Sequence, residues 1–166
     1  MKKPLVSIVM GSDSDLETFE ETSAMLKQFG VPHELRVLSA HRSPEAVRAY
    51  VRDAPQRGVR VLIAGAGGAA HLAGVVAAHT TLPVLGVPME SKHLHGLDSL
   101  LSTIQMPKGV AVGTLAIGKA GAANAGLLAV QILALADAAL RRKVGTFKRE
   151  QAEHVVAKDH KVRGIR

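Results

Sequence analysis

The feature that most constrains this chain is a repeated unit: a short aliphatic run, a loop of glycine, serine and polar residues, then a stretch with helical spacing. Strand-like runs occur at Leu5 to Met10, which is the most continuously apolar, at Glu34 to Leu38, with Leu35, Val37 and Leu38 apolar, and at Val59 to Ala64, Val84 to Val87 and Val110 to Leu115. Continuous apolar runs are the mark of strands buried on both faces, and such strands pair in parallel because their crossover helices cover the sheet. The alternation therefore predicts an α/β fold, a three-layer doubly wound parallel sheet that is flavodoxin-like in general form. Apolar residues make up 47% of the chain but aromatic residues only 2%, so the core must be aliphatic and rich in Ala and Gly.

The helical stretches carry their own punctuation. Leu16, Phe19, Ser23, Leu26 and Phe29 follow a 3.6-residue period, with Gly30 as the stop and Ser14 and Glu17 at capping-box spacing. Ser43 and Pro44 read as the N-cap and first residue of a helix through Val47 and Tyr50 to Ala54, ended by Pro55 and Gly58. Leu97 to Ile104 reads as a further helix. Ala120 to Leu140 reads as one long helix, apolar almost all round, interrupted only by Asn124, Gln131 and Asp137. Its length would suit a membrane span, but its Ala and Gly content is only mildly apolar and Asp137 would be costly there. A helix packed on its own sheet and against other subunits is the expected arrangement.

The organisation expected is a single α/β catalytic domain over residues 1–140, then a basic helical extension and tail over 141–166, its last eight residues loose. The net charge of +7 lies mostly in that tail, which holds nine Lys and Arg against three Asp and Glu. Only one aromatic residue, Phe147, lies among those charges, too few for the stacking that single-strand binders require, so no nucleic-acid partner is expected. The absence of cysteine excludes disulfides and thiolate chemistry and fits a reducing compartment. Lys2, Lys3 and Pro4 lead straight into the first strand, which does not read as a signal peptide.

The chemistry concentrates in loops after strands. The Gly11-Ser-Asp-Ser-Asp15 loop offers hydroxyls and helix-start N–H groups for an anion, and carboxylates for ribose hydroxyls. The Ser39-Ala-His-Arg-Ser-Pro44 turn sets His41, a side chain that exchanges protons near neutral pH, beside Arg42, a fork for phosphate or carboxylate. Gly65, Gly67 and Ala70 match G-x-G-x-x-A, with Glu90 twenty residues on. That match on a third strand, with Glu90 beyond the following strand, argues against a dinucleotide. The remaining reading is a glycine loop that lets backbone approach a small ligand, with His71 at the start of the next helix. His93 and His95 lack a matching carboxylate and make a poor metal site. No phosphate-binding lysine loop of the NTPase kind is present.

With these residues in place, the chain resembles the N5-carboxyaminoimidazole ribonucleotide mutases of purine biosynthesis, the catalytic subunit family of phosphoribosylaminoimidazole carboxylase. The resemblance is carried by residues 11–15, 39–44, 64–72 (Ala-Gly-Ala-Gly-Gly-Ala-Ala-His-Leu), 86–88, 98–102 (Asp-Ser-Leu-Leu-Ser), 105–107 and 113–125, and it covers roughly residues 5–140. It implies an isomerase that moves a carboxylate from the exocyclic nitrogen to ring carbon 4 without ATP, metal, biotin or any other cofactor. His41 would be the acid/base. Ser12, Asp15 and Arg42, with Ser14 and Ser39, would bind the ribose phosphate. Gly67, Gly68, Ala70 and His71 would line the base and carboxylate pocket. The resemblance also implies a cytoplasmic homo-octamer with active sites that borrow residues from neighbours, Gln105 to Pro107 among them. The chain departs from the family pattern at Ala73, where proline is usual, at Ala111, at Ser43, and in the more basic loop of His93 and His95. Two other outcomes stay open: direct carboxylation of aminoimidazole ribonucleotide by CO₂, and a non-catalytic nucleotide sensor.

Overall fold

The computed structural model describes residues 3–164. Val6–Met10 (β1), His33–Val37 (β2), Val61–Ala66 (β3), Val84–Pro88 (β4) and Gly113–Thr114 (β5) form one sheet in the order β2-β1-β3-β4-β5. Every pairing is parallel. The helices are Leu16–Phe29 (α1), Pro44–Arg57 (α2), Leu72–Ala78 (α3), Leu97–Ile104 (α4), Gly118–Ala134 (α5) and Ala138–Gly164 (α6). The fold is the flavodoxin-like doubly wound α/β sheet, with a C-terminal helix.

The chain divides into two compact units, one ending at Ala129 and one beginning at Val130. In the first, β1 and β4 are buried along their whole length, as their largely apolar sequences, with Ser7 the one polar residue, require. One face of the sheet packs on α2 and α3 through Val9, Leu62, Ala64, Val47, Val51, Leu72 and Val76. On α1, Thr22 Oγ1 donates to the carbonyl of Ala122 at 2.7 Å, which joins α1 to the start of α5. Fully buried Phe19 and Leu26 form the apolar stripe of α1. In the second unit only the end of α5 and the polar helix α6 are present.

A polar network lies inside this apolar frame. Ser7 in β1 is completely buried and sits 2.5 Å from the Tyr50 hydroxyl, which donates to Glu34 Oε1 at 2.6 Å. Arg57 donates to the same carboxylate at 3.1 Å and lies over the Tyr50 ring. Burial, first, and the adjoining carboxylate push the Tyr50 phenol up to about 12.

Several elements differ from the sequence expectation. Pro55 does not end α2. It costs one backbone hydrogen bond, and the helix continues to Arg57, where the Gly58 N–H closes on the carbonyls of Ala54 and Pro55. The fifth strand is only two residues long; a turn in which Val110 donates to the Pro107 carbonyl takes the first residue of the expected run, and Ala111, Val112 and Leu115 lie outside the strand. The long helix expected from Ala120 to Leu140 is broken after Ala134. Asp137 causes the break: its carboxylate accepts the N–H groups of Ala139 and Leu140 at 2.8 and 2.9 Å and starts α6. The tail is not loose as expected, since α6 continues to Gly164; residues 165–166 lie outside those described. Among the described residues no helix is long and apolar enough to cross a membrane.

Candidate active site

In a parallel sheet all carboxyl ends share one edge, and in this strand order the chain reverses direction between β1 and β3, where a ligand crevice opens. The loops after β1, β2, β3 and β4 meet there around a cavity of about 530 Å³. Ser12, Ser14, Asp15, Ser39, His41, Arg42, Gly67, Gly68 and His71 all line it. Ala70 does not. It is 1% exposed, and its N–H closes a tight turn on the Gly68 carbonyl at 2.8 Å.

The loop after β1 is built by Ser12. Its Oγ accepts the Ser14 N–H at 3.3 Å and the Ser14 hydroxyl at 2.9 Å, so Asp13–Asp15 forms a single 3-10 turn. The capping box expected from Ser14 and Glu17 does not form. Asp15 stands at the N-cap of α1 with no side-chain bond to the helix backbone, its carboxylate accepting the Ser14 hydroxyl instead, and the Glu17 carboxylate accepts from the Lys119 ammonium. Burial holds the Asp15 carboxyl above its ordinary range, with the Ser14 hydroxyl opposing the shift.

Arg42 binds this loop to the next. Its Nη2 donates to the Gly11 carbonyl at 3.0 Å and its Nε to Ser39 Oγ at 3.3 Å. Ser39 Oγ also accepts the Arg42 N–H at 3.2 Å. The guanidinium is thereby oriented, while its Nη1 has no protein partner among the described residues and is free for an anion.

His41 and His71 are 30 residues apart in sequence and touch here. His41 Nε2 lies 2.8 Å from His71 Nδ1, with the rings edge to face. That distance requires one hydrogen between two nitrogens, so each ring controls the other's tautomer.

The glycine loop is not the turn that the dinucleotide pattern needs. Gly65 and Ala66 are the last residues of β3, and the loop begins at Gly67. Gly68 has φ +64°, a left-handed conformation that glycine adopts without strain. Its N–H is held by Ser99 Oγ at 2.9 Å.

Sequence reasoning did not assign Met89, Glu90 and Ser91, which close the fourth side of the cavity. Their only signal is position, directly after the fourth aliphatic run. His93 and His95 lie in the turn that follows, outside the cavity lining. Among the described residues no group of three or more His, Asp or Glu is placed to hold a metal ion.

The family profile described as AIR carboxylase matches residues 5–154. The N5-carboxyaminoimidazole ribonucleotide mutase of Vibrio parahaemolyticus serotype O3:K6 is 59% identical over 152 residues, covering 92% of this chain and 94% of that protein. The protein of the same name from Bacillus subtilis is 55% identical over 154 residues, covering 93% and 94%. The solved structure of Treponema denticola PurE superposes with a TM-score of 0.86 at 29% identity, covering 95% of this chain and 98% of that one.

Proposed function

The chain belongs to the AIR carboxylase family, and from that premise we propose that it is an N5-carboxyaminoimidazole ribonucleotide mutase with His41 as its acid/base. The reaction is an isomerisation in purine biosynthesis that yields 4-carboxy-5-aminoimidazole ribonucleotide. The observation that carries the assignment of His41 is its 2.8 Å contact with His71 on the wall of a cavity that also holds Arg42, Ser12 and Asp15.

The chemistry divides between the walls. Arg42, Ser12, Ser14 and Ser39 take the phosphate, and Asp15 takes ribose hydroxyls. The Gly67–Gly68 backbone and His71 face the base and its carboxylate. The N5 carboxylate leaves as CO₂ while N5 gains a proton from His41. Carbon 4 then attacks the retained CO₂, and His41 recovers a proton from that carbon, so no proton is gained or lost overall. CO₂ held beside carbon 4 acts at a far higher effective concentration than CO₂ from solution. His71 keeps the His41 ring aimed in both steps.

The reading extends to a cytoplasmic homo-octamer. Leu97, Leu101 and Ile104 form a half-exposed apolar stripe on α4 beside Gln105 to Pro107, which suits burial against a second copy. The experiment is His41→Asn, with conversion followed by ultraviolet absorbance and binding by calorimetry. Turnover is expected to vanish with product affinity within about threefold of wild type, which is ~0.6 kcal/mol. Retained turnover would remove His41 as the proton carrier.

A further inference from the structure

The Asp98-Ser-Leu-Leu-Ser102 motif has no part in the chemistry above, and none of its side chains lines the cavity. It lies at the start of α4, behind two walls of the site. Ser99 is completely buried, and its Oγ accepts the Gly68 N–H at 2.9 Å. Ser102 Oγ donates its single hydrogen chiefly to the Asp98 carbonyl at 2.7 Å and shares it with the Gly68 carbonyl at 3.3 Å. One turn of helix therefore grips both backbone polar groups of the glycine with φ +64°. On the other side Asp98 Oδ1 accepts the Ser91 hydroxyl at 2.6 Å and the Ser99 N–H at 2.9 Å. Ser91 Oγ in turn accepts the Gly96 N–H at 3.0 Å.

We propose that Ser99 is a positioning residue for the reaction: its buried hydroxyl holds Gly68 so that the three residues after it deliver His71 to His41. Asp98 and Ser102 complete the clamp on the Ser91 and Gly68 walls. The inference rests on the acid/base reading of His41. Its reason is geometric. Gly68 sits in a conformation free of strain for glycine but in no way unique to it, so the loop needs an outside restraint. A backbone N–H with a buried partner supplies one. The His41–His71 contact tolerates little drift, since lengthening 2.8 Å by roughly 1 Å ends the hydrogen bond.

The test is steady-state kinetics of Ser99→Ala, Ser99→Cys and Ser102→Ala on N5-carboxyaminoimidazole ribonucleotide, with His41→Asn alongside. Loosened placement of a reacting group costs up to about 100-fold. Ser99→Ala is expected to lower kcat ~10-fold or more with KM within about threefold, because the phosphate cluster is untouched. Ser99→Cys, which keeps a weak acceptor of similar size, is expected to recover part of kcat. Should Ser99→Ala fail to fold, Ser102→Ala removes the partly exposed half of the grip and is expected to lower kcat roughly threefold, again without a matching change in KM. Wild-type kcat in Ser99→Ala, or in Ser102→Ala where that variant stands in, overturns the positioning role; if His41→Asn is inactive in that same assay, the acid/base reading stands. Turnover retained in His41→Asn overturns both.

Discussion

Gly65→Ala tests how the floor of the site is built. Gly65 pairs with Met10 across β1 and β3, directly beneath the cavity. A Cβ at this position would come within 2.7 Å of Phe19 Cε2, and still closer to Phe19 Cζ and Met89 Cε. Ordinary carbon contacts need about 3.5 Å or more, so the added methyl is short of room by roughly 1 Å. Met89 can yield, because its terminal methyl turns on free rotors. Phe19 cannot: it is 0% exposed in the first turn of α1, and its rigid ring moves only with the helix. Overpacking of this kind costs about 1–3 kcal/mol, and an immobile partner places Gly65→Ala in the upper half. With a urea m-value of about 2 kcal/mol/M, the unfolding midpoint should fall by ~1 M at unchanged m and fixed protein concentration. Phe19→Leu should relieve the clash, so the double variant should lose at least ~1 kcal/mol less than the two single losses combined. An unchanged midpoint, or strict additivity in that cycle, would refute this account of why β3 carries glycine at its penultimate position.

Other expectations concern charge and the buried network. Arg42→Lys keeps the charge but loses the fork that spans Gly11 and Ser39, so KM should rise about 10-fold, or ~1.4 kcal/mol, with kcat nearly constant; an unchanged KM would show that charge alone suffices. Burial raises the Asp15 carboxyl, so the folded state holds that proton more tightly than the unfolded chain does. Stability therefore falls as pH rises from the ordinary carboxylate range through the raised value, and the cost persists above it. Asp15→Asn should consequently raise Tm at pH 7 while weakening substrate binding, and a lowered Tm would contradict the sign. Tyr50→Phe strips the buried Ser7 of its partner and should cost about 1–2 kcal/mol in chemical unfolding. Because the phenol titrates at about 12 when folded and near 10 when unfolded, wild-type stability should fall across that interval as pH rises, while the Phe variant should lack that loss.

The sheet could be read because its cause is local. Buried parallel strands must be continuously apolar, and loops that end at one edge must carry the polar chemistry. Ser12, His41, Arg42 and His71 stand out for that reason. What could not be read depends on packing between distant segments. Gly65 looks like loop, yet it pairs within β3, and it is glycine because Phe19 occupies the space a side chain would need. The break at Asp137 is hidden in an apolar run whose period continues across it, and only the two N–H groups on its carboxylate reveal the cap. Ala70 carries the pattern of a ligand loop but turns inward. Glu90 and Ser91 are marked only by their place after the fourth run, and they enter the site through the parallel pairing of β3 with β4. The Ser99 grip on Gly68 joins residues 31 apart, a relation that no spacing rule reports.

The central claim is that a carboxylate migrates within one ribonucleotide, with CO₂ retained in the cavity. The most direct measurement supplies N5-carboxyaminoimidazole ribonucleotide to one cuvette and aminoimidazole ribonucleotide with low bicarbonate to another, both without ATP or added metal, and follows formation of the carbon-4 carboxylate by ultraviolet absorbance. Rapid conversion in the first alone is the predicted result. Equal or faster conversion in the second would contradict the account and make the protein a direct carboxylase, and conversion in neither would remove the catalytic reading of His41.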